Sequence, residues 1–178
     1  EVAVISLGGI VTAQSVRVAG DELDEAVLQY VKKEYSLAIG DRTAEEIKIQ
    51  MGSAWPLEEE LTADIRGRDL ISGLPRTIQL TTEHVREALA EPIAAIVDSV
   101  KTTLDKTPPE LAADIMEDGI TVTGGGALLG GIDERLRHET GMPIRLANEP
   151  LYSVVIGSGR ALENIDAMRG LMSLGGDD

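Results

Sequence analysis

Three consecutive glycines, Gly124-Gly125-Gly126, follow the β-branched run Ile120-Thr121-Val122-Thr123 and lead into Ala127-Leu128-Leu129. Without a Cβ, such a stretch can turn sharply and let a flat or charged ligand lie against the main chain. An amphipathic pattern follows, and a helix starting there offers unpaired N–H groups and the positive end of its dipole. A strand, a glycine loop and a helix N-terminus in that order suit a nucleotide. A tight strand-to-helix connection with no ligand uses the same residue types, so the rest of the chain has to decide.

Composition removes several other chemistries. The chain has 178 residues, with 31 acidic against 16 basic side chains and a formal charge of −15, which disfavours a nucleic-acid face or an anionic membrane surface. There is no cysteine, so neither disulfides nor thiolate metal sites exist. The two histidines, His84 and His138, are far apart and read as solvated surface positions, so no histidine-based centre is expected. One Trp, three Tyr and no Phe leave little for base stacking and require a core of Val, Ile, Leu and Ala. No apolar run reaches the roughly 18 residues that would cross a bilayer.

The elements that must carry the glycine loop follow from periodicity. Val2–Leu7 and Ile10–Val18 flank Gly8-Gly9, the pattern of a tight hairpin. Leu23, Ala26, Val27, Tyr30 and Val31 make one face of a helix from about Asp21, with Lys32 and Lys33 in its last turn. Thr43 and Glu46 have capping-box spacing and predict a helix start there. Gly52–Glu60 reads as a loop, and Leu61, Ala63 and Ile65 alternate as in a half-buried strand, paired with a second one through Ile78 and Leu80. Val85, Leu89, Ile93, Ile96, Val97, Val100 and Leu104 predict a long helix that Pro92 kinks or divides. Pro108-Pro109 opens a short helix, Glu110–Met116. After the glycine loop come a helix through His138, a strand at Pro143–Ala147 and a helix from about Leu151 to Met168, with a frayed tail at Gly175–Asp178. The class is α/β with a mainly buried sheet. The chain opens inside an apolar run, Glu1–Leu7, and is expected to be a fragment.

Several stretches then agree with one family. EVAVISLGGIV (Glu1–Val11), VAGDELDEAV (Val18–Val27), IGDRTAEEIK (Ile39–Lys48), RGRDLISGLP (Arg66–Pro75), KTPPELAADI (Lys106–Ile115) and GITVTGGGALL (Gly119–Leu129) occur in its order. Together they resemble the C-terminal half of MreB, the bacterial actin homologue family of rod-shape-determining proteins. The resemblance implies an actin-like ATPase fold, of the group shared with heat-shock-70 chaperones and sugar kinases. One half of the nucleotide cleft would be present. Residues 1–19 and 81–178 would form a discontinuous large lobe, residues 20–80 a smaller inserted lobe, and the N-terminal half of the fold would be absent.

The same resemblance implies site residues. Gly124, Gly125, Gly126, Ala127 and Leu128 match the family's adenosine loop. Glu45, Glu46 and Lys48 match a short helix that offers polar side chains to the ribose and adenine edge, although Glu46 also suits the capping box and Lys48 a solvated surface. Gly20 would let the nucleotide approach a strand-to-helix corner where Asp21 equally suits an N-cap. The cofactor implied is ATP with Mg²⁺. The family's phosphate loops and water-positioning glutamate would lie before Glu1, so catalysis in this stretch alone is not expected, whereas the complete family protein is a slow ATPase. Implied partners are further copies in a head-to-tail filament and the inner-membrane cell-wall elongation machinery, with membrane contact through the absent half and no nucleic acid. The implied setting is the cytoplasmic inner face of the bacterial membrane, where such filaments maintain rod shape by organising peptidoglycan synthesis. A heat-shock-70-like nucleotide lobe, a sugar or acetate kinase and a ligand-free α/β domain are the competing readings.

Overall fold

The computed structural model describes residues 1–165. Three small sheets carry the strands. β1 (Val2–Ser6) and β2 (Gly9–Gln14) form an antiparallel hairpin. β3 (Leu37–Ala38), β4 (Thr62–Asp69) and β5 (Pro75–Thr81) form an antiparallel sheet in that order, and β6 (Ile120–Val122) pairs in parallel with β7 (Ile144–Leu146). Seven helices join them: α1 (Gly20–Tyr35), α2 (Asp41–Met51), α3 (Thr82–Ala88), α4 (Ala90–Asp105), α5 (Pro109–Asp118), α6 (Ile132–Thr140) and α7 (Ser153–Glu163). The expected last three residues of the final helix and the tail at Gly175–Asp178 lie outside the described residues.

The apolar periodicities converge on one continuous core. Leu23, Val27 and Val31 of α1 meet Ile47 and Met51 of α2, Ile78 and Leu80 of β5, and Val85, Leu89, Ile93 and Val97 of α3 and α4. Leu136 of α6 and Ile144 of β7 close the same cluster. The long helical pattern divides at Leu89, as Pro92 requires. Proline has no N–H to give the carbonyl four residues back, at Ala88, and Ala88 is where α3 stops. α4 is the shared support: it packs on β1, β2, α1, α3 and α6.

Four local expectations are corrected. The hairpin turn is Leu7-Gly8, not Gly8-Gly9: Ser6 pairs with Gly9, and Leu7 and Gly8 both take positive φ, 50° and 79°, as a primed two-residue turn demands. α2 begins at Asp41 behind Gly40, so Thr43 lies inside the helix and the capping box does not form; Glu46 bonds Arg42 Nε at 3.0 Å instead. The N-cap of α1 is Ala19, whose N–H donates to Glu22 Oε2 at 2.8 Å, and Asp21 sits in the first turn. His84 is half-buried rather than solvated: its Nδ1 accepts from the Thr81 N–H and lies 3.2 Å from the Tyr35 hydroxyl, while its own N–H bonds Thr81 Oγ1. His138 is exposed but lies with its ring centroid 5.0 Å from that of Trp55.

The tip between β4 and β5 is tied by one carboxylate. Asp69 accepts from the Ile71 and Ser72 N–H groups and the Ser72 hydroxyl, and pairs with Arg76 Nη1 at 2.9 Å. The Ser72 N–H, followed by the Arg76 guanidinium, holds its pKa far below the usual carboxylate range. A depressed pKa contributes stability fully above the unfolded-state value near ~4 and loses it as pH falls below that. Asp69→Asn is therefore expected to melt several degrees lower at pH 7, with the gap to the parent closing below about pH 4. Thermal unfolding from pH 7 to 3 measures this, and a gap independent of pH would refute it.

Candidate functional site

The glycine stretch is built differently from the simple loop-to-helix junction expected. Residues Gly125–Leu128 form a single 3₁₀ turn, and the α-helix starts only at Ile132, after Leu129-Gly130-Gly131. Leu129 is extended and Gly131 left-handed at φ 67°, which interrupts the helix. The dipole of α6 is thus displaced from the triplet. What remains is the backbone itself: the Gly125 and Gly126 N–H groups open the 3₁₀ turn and have no acceptor within it.

The turn is buttressed from one side. The Gly124 N–H donates to Pro150 O at 3.0 Å. Thr123 Oγ1 bonds Pro150 O at 3.2 Å and Ser153 Oγ at 2.6 Å. Gly124 has φ 85°, which only glycine adopts cheaply. Its two neighbours are not explained that way. A Cβ on Gly126 would meet nothing within 4 Å, and one on Gly125 would only touch Leu151 Cδ2 at 3.5 Å. Ala127 is buried beneath them, while Leu128 is exposed.

The second group of candidates sits on α2. Lys48 Nζ bonds the Gly20 carbonyl at 3.1 Å and lies 2.9 Å from both carboxylate oxygens of Asp24. The pair is well shielded, with side chains 16% and 18% exposed. Lys48 thus fastens α2 to the first turn of α1, and a Cβ on Gly20 would come within 3.4 Å of its Nζ. Glu45 and Glu46 are exposed, Glu46 bonded to Arg42, and Glu45 makes no hydrogen bond or ion pair among the described residues.

The structure joins Gly20 to Lys48 directly, and joins α2 to the glycine stretch through the backbone. The Ala54 N–H donates to Gly130 O at 2.7 Å, and Ser53 and Gly130 form a parallel bridge. Gly52 makes this approach possible: a Cβ there would be 2.3 Å from Lys48 O and 2.8 Å from Leu129 Cδ1. Arg86 fixes the same loop from α3, reaching Ser53 Oγ at 3.1 Å and Glu60 Oε1 at 2.8 Å. No hydrogen bond or ion pair joins Glu45 or Glu46 to Gly124–Leu128 among the described residues. Sequence reasoning missed Asp24, Gly52 and Pro150. Only Asp24 left a signal, because it lies one turn after Gly20 on the same helical face. Among the described residues no cluster of acidic and histidine side chains could hold a metal, and no helix is long and apolar enough to cross a membrane.

The architecture is that of known proteins. The crystal structure of MreB5 of Spiroplasma citri bound to ADP matches with a TM-score of 0.88 at 40% identity, over 92% of this chain and 50% of that one. The MamK double helical filament matches with a TM-score of 0.62 at 23% identity, over 77% of this chain and 42% of that one, a likeness of fold alone. The fold these structures share is actin-like. The model of the family described as MreB/Mbl protein matches residues 1–170. Cell shape-determining protein Mbl of Bacillus subtilis (strain 168) is 48% identical over 168 residues, 94% of this chain. Cell shape-determining protein MreB of Escherichia coli (strain K12) is 49% identical over 166 residues, 93% of this chain. The chain belongs to the MreB/Mbl family. It spans about half the length of these curated relatives, 50% of the first and 48% of the second.

Proposed function

We propose that this chain supplies nucleotide-binding surface to an actin-like cytoskeletal protein that assembles head to tail into filaments and maintains rod shape by organising peptidoglycan synthesis at the inner face of the cell membrane. The observation that carries the reading is the pair Gly125 and Gly126. Neither φ nor packing requires glycine at either place, and glycine in a helical turn costs about 0.5–1 kcal/mol relative to alanine. Exposed bare backbone whose N–H groups have no acceptor in the turn is what a ligand lying on the main chain needs. The solved MreB5 structures, one bound to ADP and one to AMPPNP, support a nucleotide as that ligand.

In this reading Gly124–Leu128 form the floor under adenosine and the nearest phosphate. Glu45 faces the ribose edge with Glu46 beside it. Lys48 spends two of its three N–H donors on Gly20 and Asp24, which places the Gly20 corner and leaves one donor for the ligand. ATP with Mg²⁺ brings the anionic phosphates and their counter-charge; the residues of this chain bind and orient the nucleoside end. Residues 20–80, which hold α1, α2 and the β3–β4–β5 sheet, are read as the smaller lobe, and residues 1–19 with 81–178 as the larger.

Gly126→Val in the full-length protein tests the site. The new side chain enters open space, so the fold should be kept, while ATP affinity by calorimetry should fall about tenfold or more. The variant should also lose sedimentation that distinguishes Mg-ATP from Mg-ADP. Unchanged affinity with an unchanged melting temperature would remove this turn from the nucleotide site.

A further inference from the structure

A groove of about 620 Å³ runs along the side of α1, against the elbow between α3 and α4. Its apolar lining is mostly small, with Ala26 of α1 and Ala88, Ala90, Pro92 and Ala95 around the α3–α4 junction, beside Val18 and Tyr30. Pro92 interrupts the long helix here, at Leu89 between α3 and α4. The walls are acidic. Glu22 and Glu25 stand three residues apart on α1, and Glu87 and Glu91 four residues apart opposite them. None of these four carboxylates is paired with a basic side chain among the described residues. Glu25 takes only the Gln29 amide, and Glu87 only the Tyr30 hydroxyl at 2.9 Å. The lone lysine of the groove, Lys33, is already 3.3 Å from Glu34. Elsewhere the chain pairs many of its acids: Asp24, Glu60, Asp69 and Glu139 all hold a cation.

We infer that this groove docks a basic amphipathic helix of a partner protein. This mostly small apolar floor accepts an apolar ridge, as helix-in-groove recognition requires. Two rows of unpaired carboxylates at helical spacing face Lys or Arg side chains flanking that ridge on both sides. The chain has 16 basic against 31 acidic side chains, so a partner presenting a basic helix face matches these acidic walls better than this chain's own surface. The surface is separate from the glycine stretch and from Lys48, so the inference does not rest on nucleotide binding.

The probe is a synthetic helical peptide of about 18 residues with a leucine stripe at i, i+3, i+4 and i+7 and lysines on both flanks. A peptide of the same composition with the stripe scrambled is the control. Titration of this chain, followed by fluorescence anisotropy, should show salt-sensitive binding of the amphipathic peptide and at least about tenfold weaker binding of the scrambled one. Glu25→Lys with Glu91→Lys should weaken binding about tenfold or more without changing the melting temperature, since both side chains are exposed. Ala88→Trp should block the floor and abolish binding. Equal binding of both peptides, or indifference to the double charge reversal, would overturn the inference. So would concentration-dependent self-association in sedimentation velocity that Ala88→Trp removes, because the occupant would then be a second copy.

Discussion

Lys48→Met is expected to destabilise the protein by about 2–3 kcal/mol, because it strands the Asp24 carboxylate in a shielded position with its partner gone. The ammonium also holds the Gly20 carbonyl, so the same change frees the first turn of α1 from α2. Adding Asp24→Asn should recover a large part of the loss, since the neutral amide no longer needs a cation. Urea unfolding of the two single variants and the double variant measures the coupling directly. A Lys48→Met variant within about 0.5 kcal/mol of the parent would show that water satisfies the carboxylate. Nucleotide affinity separates two roles for Lys48. Recovery in the double variant means that it acts by placing Gly20; persistent loss means that it touches the ligand.

Gly52→Ala should cost about 3 kcal/mol, at the upper end for added volume in a packed place. The methyl group would lie 2.3 Å from the Lys48 carbonyl oxygen and 2.8 Å from Leu129 Cδ1, and while the leucine end can rotate away the carbonyl cannot retreat alone. The carbonyl is helix backbone, and Gly52 itself lies next to Ser53, whose bridge to Gly130 limits how far it can shift. The chain would have to open that bridge, so the Ala54 amide should exchange with solvent much faster in the variant. Hydrogen exchange read at Ala54 checks this, and unchanged protection there would show that the strain is absorbed within α2.

Elements whose residues speak for themselves were legible. The apolar stripes of α1 and α4, the alternation of β4 and the proline break at Ala88 depend on neighbours within one or two turns. Starts and turns were harder where two adjacent residues suited the same role. Gly8-Gly9 looks like a hairpin turn, yet the pairing of Ser6 with Gly9 places a leucine at positive φ instead. Thr43 and Glu46 have the spacing of a capping box, but Gly40 ends the extended segment earlier and takes both into the helix. Gly130-Gly131 was the unread signal that the helix could not begin at the triplet. The candidate residues can be named by type from the sequence, but the contacts that bring Gly20 and Lys48 together cannot. The Asp24–Lys48 pair spans 24 residues and the Ser53–Gly130 bridge joins distant segments, and neither leaves a periodic mark.

The strands of the described residues fall into three separate sheets, and what joins those sheets differs from what holds each together. Backbone ladders hold β1 to β2, β3 to β4, β4 to β5 and β6 to β7, and among the described residues no ladder runs from one sheet to the next. Between the hairpin and the β6–β7 side the shared contact is α4, packed on β1, β2 and α6, whereas the β3–β4–β5 sheet is reached through α1 and α3 and the Ser53–Gly130 bridge adds one backbone link. Hydrogen-bonded ladders resist shear until they break, whereas packed apolar faces slide by small steps. Among the described residues the backbone ties are thus concentrated within each patch, and side-chain packing with the single Ser53–Gly130 bridge carries what joins one patch to the next.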